Sequence, residues 1–224
     1  MQSLTKVQNK IASAAERVGR DPSEITLIAV TKTHGAEEIN EAIAAGVTDI
    51  GENKVQEILS KYDDITPGVR WHLIGHLQTN KVKSVVDKVC MIHSVDSLHL
   101  AQEIDKRCRD IGKVMDVLIQ VNAAGEEQKS GVPPEEVFSL YEEISKLGNL
   151  RVRGLMQIAP QTDNPESVRK YFKQVKEIFD SIPGLDVLSM GMSGDYEIAI
   201  EEGATMVRIG TAIFGERNYK NGII

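Results

Sequence analysis

Two cysteines in 224 residues, Cys90 and Cys108, are too few and too far apart to frame a disulfide scaffold or a zinc site. No apolar run approaches the roughly 20 residues that a bilayer-spanning helix needs. Lys6, Lys10, Glu16 and Arg17 interrupt the stretch where a signal-peptide core would lie, so a reducing cytoplasm is the expected home. Basic residues are outnumbered, 26 against 33 acidic for a net charge of −7, and they are scattered along the chain. That removes the electrostatic case for nucleic acid or an anionic membrane and leaves room only for a small anion bound locally. No Gly-x-Gly-x-x-Gly follows the first strand, no Pro/Gly/Ser-rich linker divides the chain, and no segment is of low complexity. What is present is 41% hydrophobic content, enough for a substantial core.

Those hydrophobic residues alternate between two periods. Val7, Ile11, Ala14 and Val18 recur at helical spacing, predicting a helix over 3–18 that covers one end of the core. Strands are then expected at 26–31, 47–50, 71–74, 89–95, 114–121, 152–158, 185–190 and 205–209. Between them lie helical stripes, among them Ile39, Ala42 and Ile43 closed by Gly46; Val82, Val85 and Val86; and Val137, Leu140, Tyr141, Ile144 and Leu147 ending at Gly148. Asn164-Pro165 reads as a cap with proline at the first helical position of the helix marked by Val168, Phe172, Val175, Ile178 and Phe179. Eight strands, each but the last followed by a helix, predict an α/β chain closed into one (β/α)8 TIM barrel, a single domain over 1–224 with an extra N-terminal helix. A doubly wound open sheet is the alternative.

The run before Lys32 is apolar or β-branched and ends on Thr33, His34 and Gly35, a core strand stopping at a polar mouth. A lysine there either extends its ammonium into water or loses water, drops its pKa and presents an amine able to attack an aldehyde. In a barrel, phosphate is most often bound by the loops after strands seven and eight. Here these are Ser189-Met190-Gly191-Met192-Ser193-Gly194-Asp195 and Arg208-Ile209-Gly210-Thr211-Ala212. Their glycines admit backbone N–H groups to an anion, and Ser193 and Thr211 add hydroxyls; glycines serving tight turns alone are the plainer reading. Closure would bring this cup within roughly 5 to 10 Å of the Lys32 strand. An amine facing a phosphate cup suits pyridoxal 5′-phosphate (PLP), and Arg208 could then face the pyridine nitrogen, keeping it unprotonated.

Val30-Thr31-Lys32-Thr33, Gly51-Glu52-Asn53-Lys54-Val55-Gln56-Glu57, Trp71-His72-Leu73-Ile74-Gly75-His76-Leu77-Gln78-Thr79-Asn80-Lys81, and the two late loops extended to Leu188 and to Gly215 closely resemble the pyridoxal phosphate homeostasis protein family, nearly end to end. The resemblance implies the fold type III PLP barrel shared with the alanine racemase N-terminal domain. It implies a covalent aldimine on Lys32, phosphate held by Ser193, Gly210 and Thr211 with Gly194 in the same loop, and Arg208 at the ring nitrogen. Asn53 matches as a cofactor contact, His76 as a residue near the mouth, and Lys129-Ser130-Gly131 as a loop motif with no assigned role, read as a solvated loop.

Other side chains are read plainly. His72 and His76 are four apart but straddle a strand end and a glycine, so the spacing is not that of a helical metal pair, and no metal is expected. Asp49, Glu52 and Glu57 offer an acid or base near the second strand, though solvated helix-start carboxylates would explain them as well. Trp71 reads as core and Cys90 as a small buried residue of a strand. Three functions compete: a PLP carrier without turnover, a fold type III racemase or decarboxylase, and a Schiff-base aldolase. Two-base racemisation needs a second proton donor across the ring, and Tyr219 in the tail is the one late candidate. The carrier is therefore expected, as a monomer whose partners are PLP and apo PLP-dependent enzymes.

Overall fold

The computed structural model of the chain describes residues 2–126 and 128–215; Tyr219 lies outside them. The first element, α1 (Gln2–Arg17), sets Leu4, Val7, Ile11, Ala14 and Ala15 on one buried face, as its period requires. Eight strands follow: β1 (Thr26–Val30), β2 (Asp49–Glu52), β3 (Arg70–Leu73), β4 (Met91–Val95), β5 (Met115–Val121), β6 (Leu150–Gln157), β7 (Val187–Ser189) and β8 (Met206–Ile209). All pair in parallel in chain order, and β8 returns to β1 with Leu27 opposite Val207 and Ala29 opposite Ile209. The sheet is a closed barrel, as the eightfold alternation predicts.

The helices between the strands are α2 (Ala36–Ala44), α3 (Val55–Lys61), α4 (Leu98–Asp110), α5 (Val137–Ile144), α6 (Arg169–Ser181), α7 (Tyr196–Glu201) and, after β8, α8 (Thr211–Phe214). Ser97 caps α4 by accepting from the Leu100 N–H at 3.3 Å. Two expectations shift. Of the Val82, Val85 and Val86 stripe, Val82 lies in a 3₁₀ turn over Thr79–Ser84 and the other two in the turn just past it, instead of all three on an α-helix, although all three side chains are buried. A short run of β-branched residues loses rotamer freedom in an α-helix, and periods of 3 and 3.6 cannot be told apart over so few residues. Asn164 does cap, accepting from the Glu166 N–H at 3.2 Å, but the turn it opens is 3₁₀ over Pro165–Val168 and α6 begins only at Arg169.

Burial corrects the plain readings of three polar residues. Asp49 and Glu52 lie on β2, not at a helix start, and are 1% and 0% exposed, so neither is solvated. Cys90 is exposed; it precedes β4 at the N-terminal end of the barrel rather than lying inside it. Trp71 is core, as expected. Among the described residues no helix is long and apolar enough to cross a membrane.

Candidate functional site

All seven residues expected to bind the cofactor, Lys32, Asn53, Ser193, Gly194, Arg208, Gly210 and Thr211, line one cavity of ≈ 600 Å³. It opens at the C-terminal ends of the strands, the end where barrels carry their chemistry. The β1–β8 pairing explains the convergence: Ile209 stands beside Ala29, so Gly210 and Thr211 emerge next to the segment carrying Lys32. A larger hollow of ≈ 950 Å³ beside α1 shares Ser193 and Gly194 with it. Two of its cations are committed to α7, Lys10 to Glu197 at 3.2 Å and Arg17 to Glu201 at 2.8 Å, and it contains neither Lys32 nor Arg208.

Lys32 is held from both sides. The Thr31 hydroxyl donates to Glu52 Oε1 at 2.8 Å, the Thr31 carbonyl accepts from Lys61 Nζ at 3.1 Å, and the Thr33 N–H donates to Glu57 Oε2 at 2.7 Å. Lys61 joins the two carboxylates, 2.8 Å from Glu52 and 2.9 Å from Glu57. Burial raises the Glu52 carboxyl pKa in spite of Lys61, while Glu57 stays below its ordinary value because the bonds from Lys61 and the Thr33 N–H outweigh its burial. Thr33 takes φ 70°, a left-handed conformation rare for a β-branched residue, so the backbone turns sharply just past Lys32. His34 then bonds Glu38 at 2.8 Å and stacks on Phe214 at 4.6 Å, tying this segment to α8.

Across the cavity, the loop after β7 turns at Gly191, whose φ of 92° and approach to the Tyr196 backbone, 2.8 Å from where a Cβ would stand, exclude a side chain. Asp195 accepts from the Met192 N–H at 2.6 Å and closes the turn, and the Ser193 hydroxyl accepts from the Ala212 N–H at 3.4 Å, joining the two last loops. Asn53 is fixed from β3: a Cβ on Gly75 would lie 2.3 Å from the Asn53 carbonyl oxygen, so only glycine lets the two loops pack. Arg208 is buried, donating to Ser189 Oγ at 2.6 Å and to the Gln157 carbonyl at 2.8 Å. Burial lowers its pKa to about 10 against the attraction of Asp195, leaving it cationic at neutral pH.

Lys129, expected in a solvated loop, lines the cavity and donates to the Ala159 carbonyl at 3.3 Å. His76 faces Asp96 at 3.6 Å in a separate groove. Among the described residues no group of three His, Cys, Asp or Glu could hold a metal ion. Sequence reasoning missed the Glu52–Lys61–Glu57 support; the i, i+4 pair of Glu57 and Lys61 was the available signal.

Two amines, Lys32 and Lys129, the Arg208 guanidinium and the hydroxyls of Thr162, Ser193 and Thr211 around ≈ 600 Å³ form a donor set suited to a small aldehyde that also carries an anion. The sequence profile of the alanine racemase N-terminal domain matches residues 2–218. The chain is 48% identical over 222 residues to the pyridoxal phosphate homeostasis protein of Aquifex aeolicus (strain VF5), covering 96% of this chain and 97% of that one. It is 44% identical to the like-named protein of Pseudomonas aeruginosa, with 97% and 96% covered. The structure of PipY from Synechococcus elongatus PCC7942 with PLP bound superposes with a TM-score of 0.80 at 35% identity, covering 93% of this chain and 100% of PipY. With relatives this similar along nearly their whole length, the chain belongs to the pyridoxal phosphate homeostasis protein family.

Proposed function

We propose that this chain binds PLP covalently and reversibly, holding it in the cell and yielding it to apo PLP-dependent enzymes without turnover of its own. The observation that carries this reading is the convergence of seven residues from β1, β2, β7 and β8 and their loops on one cavity. Lys32 supplies the amine that condenses with the aldehyde, forming a C=N bond and releasing one water. Ser193, Gly194, Gly210 and Thr211 hold the phosphate, and Asn53 contacts the ligand from β2. Arg208 faces the pyridine nitrogen; a fixed cation there opposes protonation of the ring. When bound, PLP supplies an aldehyde and an electron-accepting ring, and an unprotonated ring is the weaker electron sink, which favours storage over amino-acid chemistry. The eight strands close into one barrel, which supports a single domain, and the chain is taken to act as a monomer as part of the same proposal.

Spectral titration with PLP tests this. The loaded protein should absorb near about 420 nm, the colour of a lysine-linked pyridoxal. Lys32→Ala should lose the band while keeping the wild-type far-UV circular dichroism. Loaded protein should reactivate an unrelated apo-enzyme, and no common L-amino acid should be racemised or decarboxylated faster than by free PLP. A colourless wild type in excess PLP would end the binding reading, and sustained turnover of any amino acid would end the carrier reading.

A further inference from the structure

A line of polar side chains crosses the barrel interior beneath the cavity. His72 Nε2 lies 2.9 Å from Asp49 Oδ1, His72 Nδ1 lies 3.0 Å from His93 Nε2, and His93 Nδ1 lies 3.0 Å from Ser189 Oγ, which accepts from Arg208 at 2.6 Å. Asp49, His72, His93, Ser189 and Arg208 are all at most 3% exposed. Four unbroken links therefore join a carboxylate at the N-terminal end of β2 to a guanidinium on the cavity wall. Met91, Val187 and Met206 precede His93, Ser189 and Arg208 by two residues, so alternation places them on the same inner face. Met91 and Val187 cluster with Leu118 and Met156, and Met206 packs against them. The interior beside the chain is thus the apolar filling usual in barrels, and a polar chain through it is favoured only if every member is bonded.

Counting hydrogens leaves two arrangements. With His72 neutral, its Nε2–H donates to Asp49 and its Nδ1 accepts from the His93 Nε2–H. His93 Nδ1 then accepts the Ser189 hydroxyl hydrogen, and Ser189 Oγ accepts from Arg208 alone. With His72 cationic, its Nδ1–H donates to His93 Nε2, and the proton of His93 resides on Nδ1. Ser189 Oγ must then accept from both His93 and Arg208, and its own hydrogen has no further partner among the described residues. Uptake of one proton from water, counted at His72, separates the two states.

We propose that His72, His93 and Ser189 are positioning residues for Arg208, a proton relay whose donor direction is set by the protonation of His72 at the opposite end of the barrel. The groups facing His72 are Asp49 from β2, Cys90 ahead of β4 with its Sγ 3.5 Å away, and His93 from β4. Arg70 from β3 bonds the other Asp49 oxygen at 2.7 Å, Lys113 interacts with Cys90, and Asp195 acts on Arg208 from the far side. Burial pulls His72 down, but Asp49 first and Cys90 second raise its pKa to about 9. Burial, then repulsion by His72 and Arg208, keeps His93 neutral. The cationic arrangement holds at neutral pH, with His93 competing with Arg208 for one hydroxyl oxygen. Above the transition Ser189 donates to His93 and becomes the stronger acceptor for Arg208.

This rests on the PLP reading only for what Arg208 touches, and nitrogen-15 NMR of histidine-labelled protein without PLP tests the relay itself. His93 should carry its proton on Nδ1 at pH 7 and on Nε2 at pH 10, changing with the same midpoint as His72. Asp49→Asn should lower both midpoints together by at least one pH unit. In a parallel arm, the PLP affinity of wild type relative to His93→Leu should change at least threefold across that midpoint. A His93 tautomer that stays fixed while His72 titrates overturns the relay, as does an affinity ratio that stays flat; failure of wild type to bind PLP at all would strike the cofactor reading and leave the NMR result standing. Should Asp49→Asn fail to fold, the wild-type tautomer titration decides alone.

Discussion

Thr31, Lys32 and Thr33 show how single residues set the site. A β-branched residue at φ 70° costs on the order of 1–3 kcal/mol and persists only where its surroundings hold it. Here the holders are Glu52, Glu57 and Lys61. Glu52 is fully buried, with one carboxylate oxygen lacking a partner among the described residues and Lys61 as its cation. Lys61→Met should therefore destabilise the fold by about 3 kcal/mol at neutral pH, as stranding a buried charge does. The pKa of Glu52 is already raised in the fold and would rise further without Lys61, so the deficit is largest at high pH and shrinks as falling pH neutralises the carboxyl. Urea unfolding of both proteins at pH 5 and pH 8 measures this; a deficit independent of pH would refute it. Lys32 was legible in the sequence because a cation ending an apolar strand is conspicuous. The supporting carboxylates were not, because Glu52 and Glu57 look like ordinary surface residues until the turn of β2 into α3 aims them at β1.

At the scale of elements, α1 substitutes for a short eighth helix. The described part of α8 is four residues, and α1 packs against both α7 and α8, with the Ser3 hydroxyl donating to the Ile213 carbonyl at 2.7 Å. Arg20 adds bonds to the Ile200 and Ala204 carbonyls, each at 2.9 Å. Ile11→Ala should cost about 2–4 kcal/mol through the cavity left under α1. Because α8 carries the Ala212 N–H that bonds Ser193, the same change should weaken PLP binding several-fold more than an equal destabilisation introduced at Ile104 on the α4 side. Equal losses of affinity from both sites would show that α1 contributes stability alone. The amphipathic period of α1 revealed the helix, and the expectation placed it over one end of the core without naming its neighbours α7 and α8: periodicity tells which face is buried and is silent on what buries it.

The whole molecule divides into two ends. The C-terminal strand ends carry the cavity, while the N-terminal ends are laced by Asp116 with Arg151 at 2.6 Å and with Arg153 at 2.7 Å, and by Arg70 with Asp49 at 2.7 Å. Closure was legible, since eight alternations are the number that closes a barrel and a phosphate cup in the last two loops facing Lys32 needs the chain ends to meet, although an open sheet fitted the alternation too. The polar interior was not, because strands of a parallel barrel are buried on both faces and alternation cannot say which face looks down the axis. Asp49 therefore read as a surface acid, whereas its pKa is held at about 2: His72, Arg70 and Thr48 together outweigh its burial. A depressed carboxyl contributes stability that is present above its ordinary 3.8 and lost as pH falls through about 2, here on the order of 2 kcal/mol. His72, raised from 6.5 to about 9, contributes stability present below 6.5 and lost as pH rises through about 9. Asp49 and His72 alone would hold stability level between about pH 4 and 6.5, but His93, kept neutral by burial, removes stability as pH falls below 6.5, so stability against urea should peak near pH 6.5 and fall on both sides. In Asp49→Asn the loss below about pH 4 and the loss above pH 6.5 should shrink together, since one hydrogen-bonded pair supplies both, while the part of the acid slope that comes from His93 stays; a variant that keeps the full alkaline loss would show that His72 draws its charge from another partner.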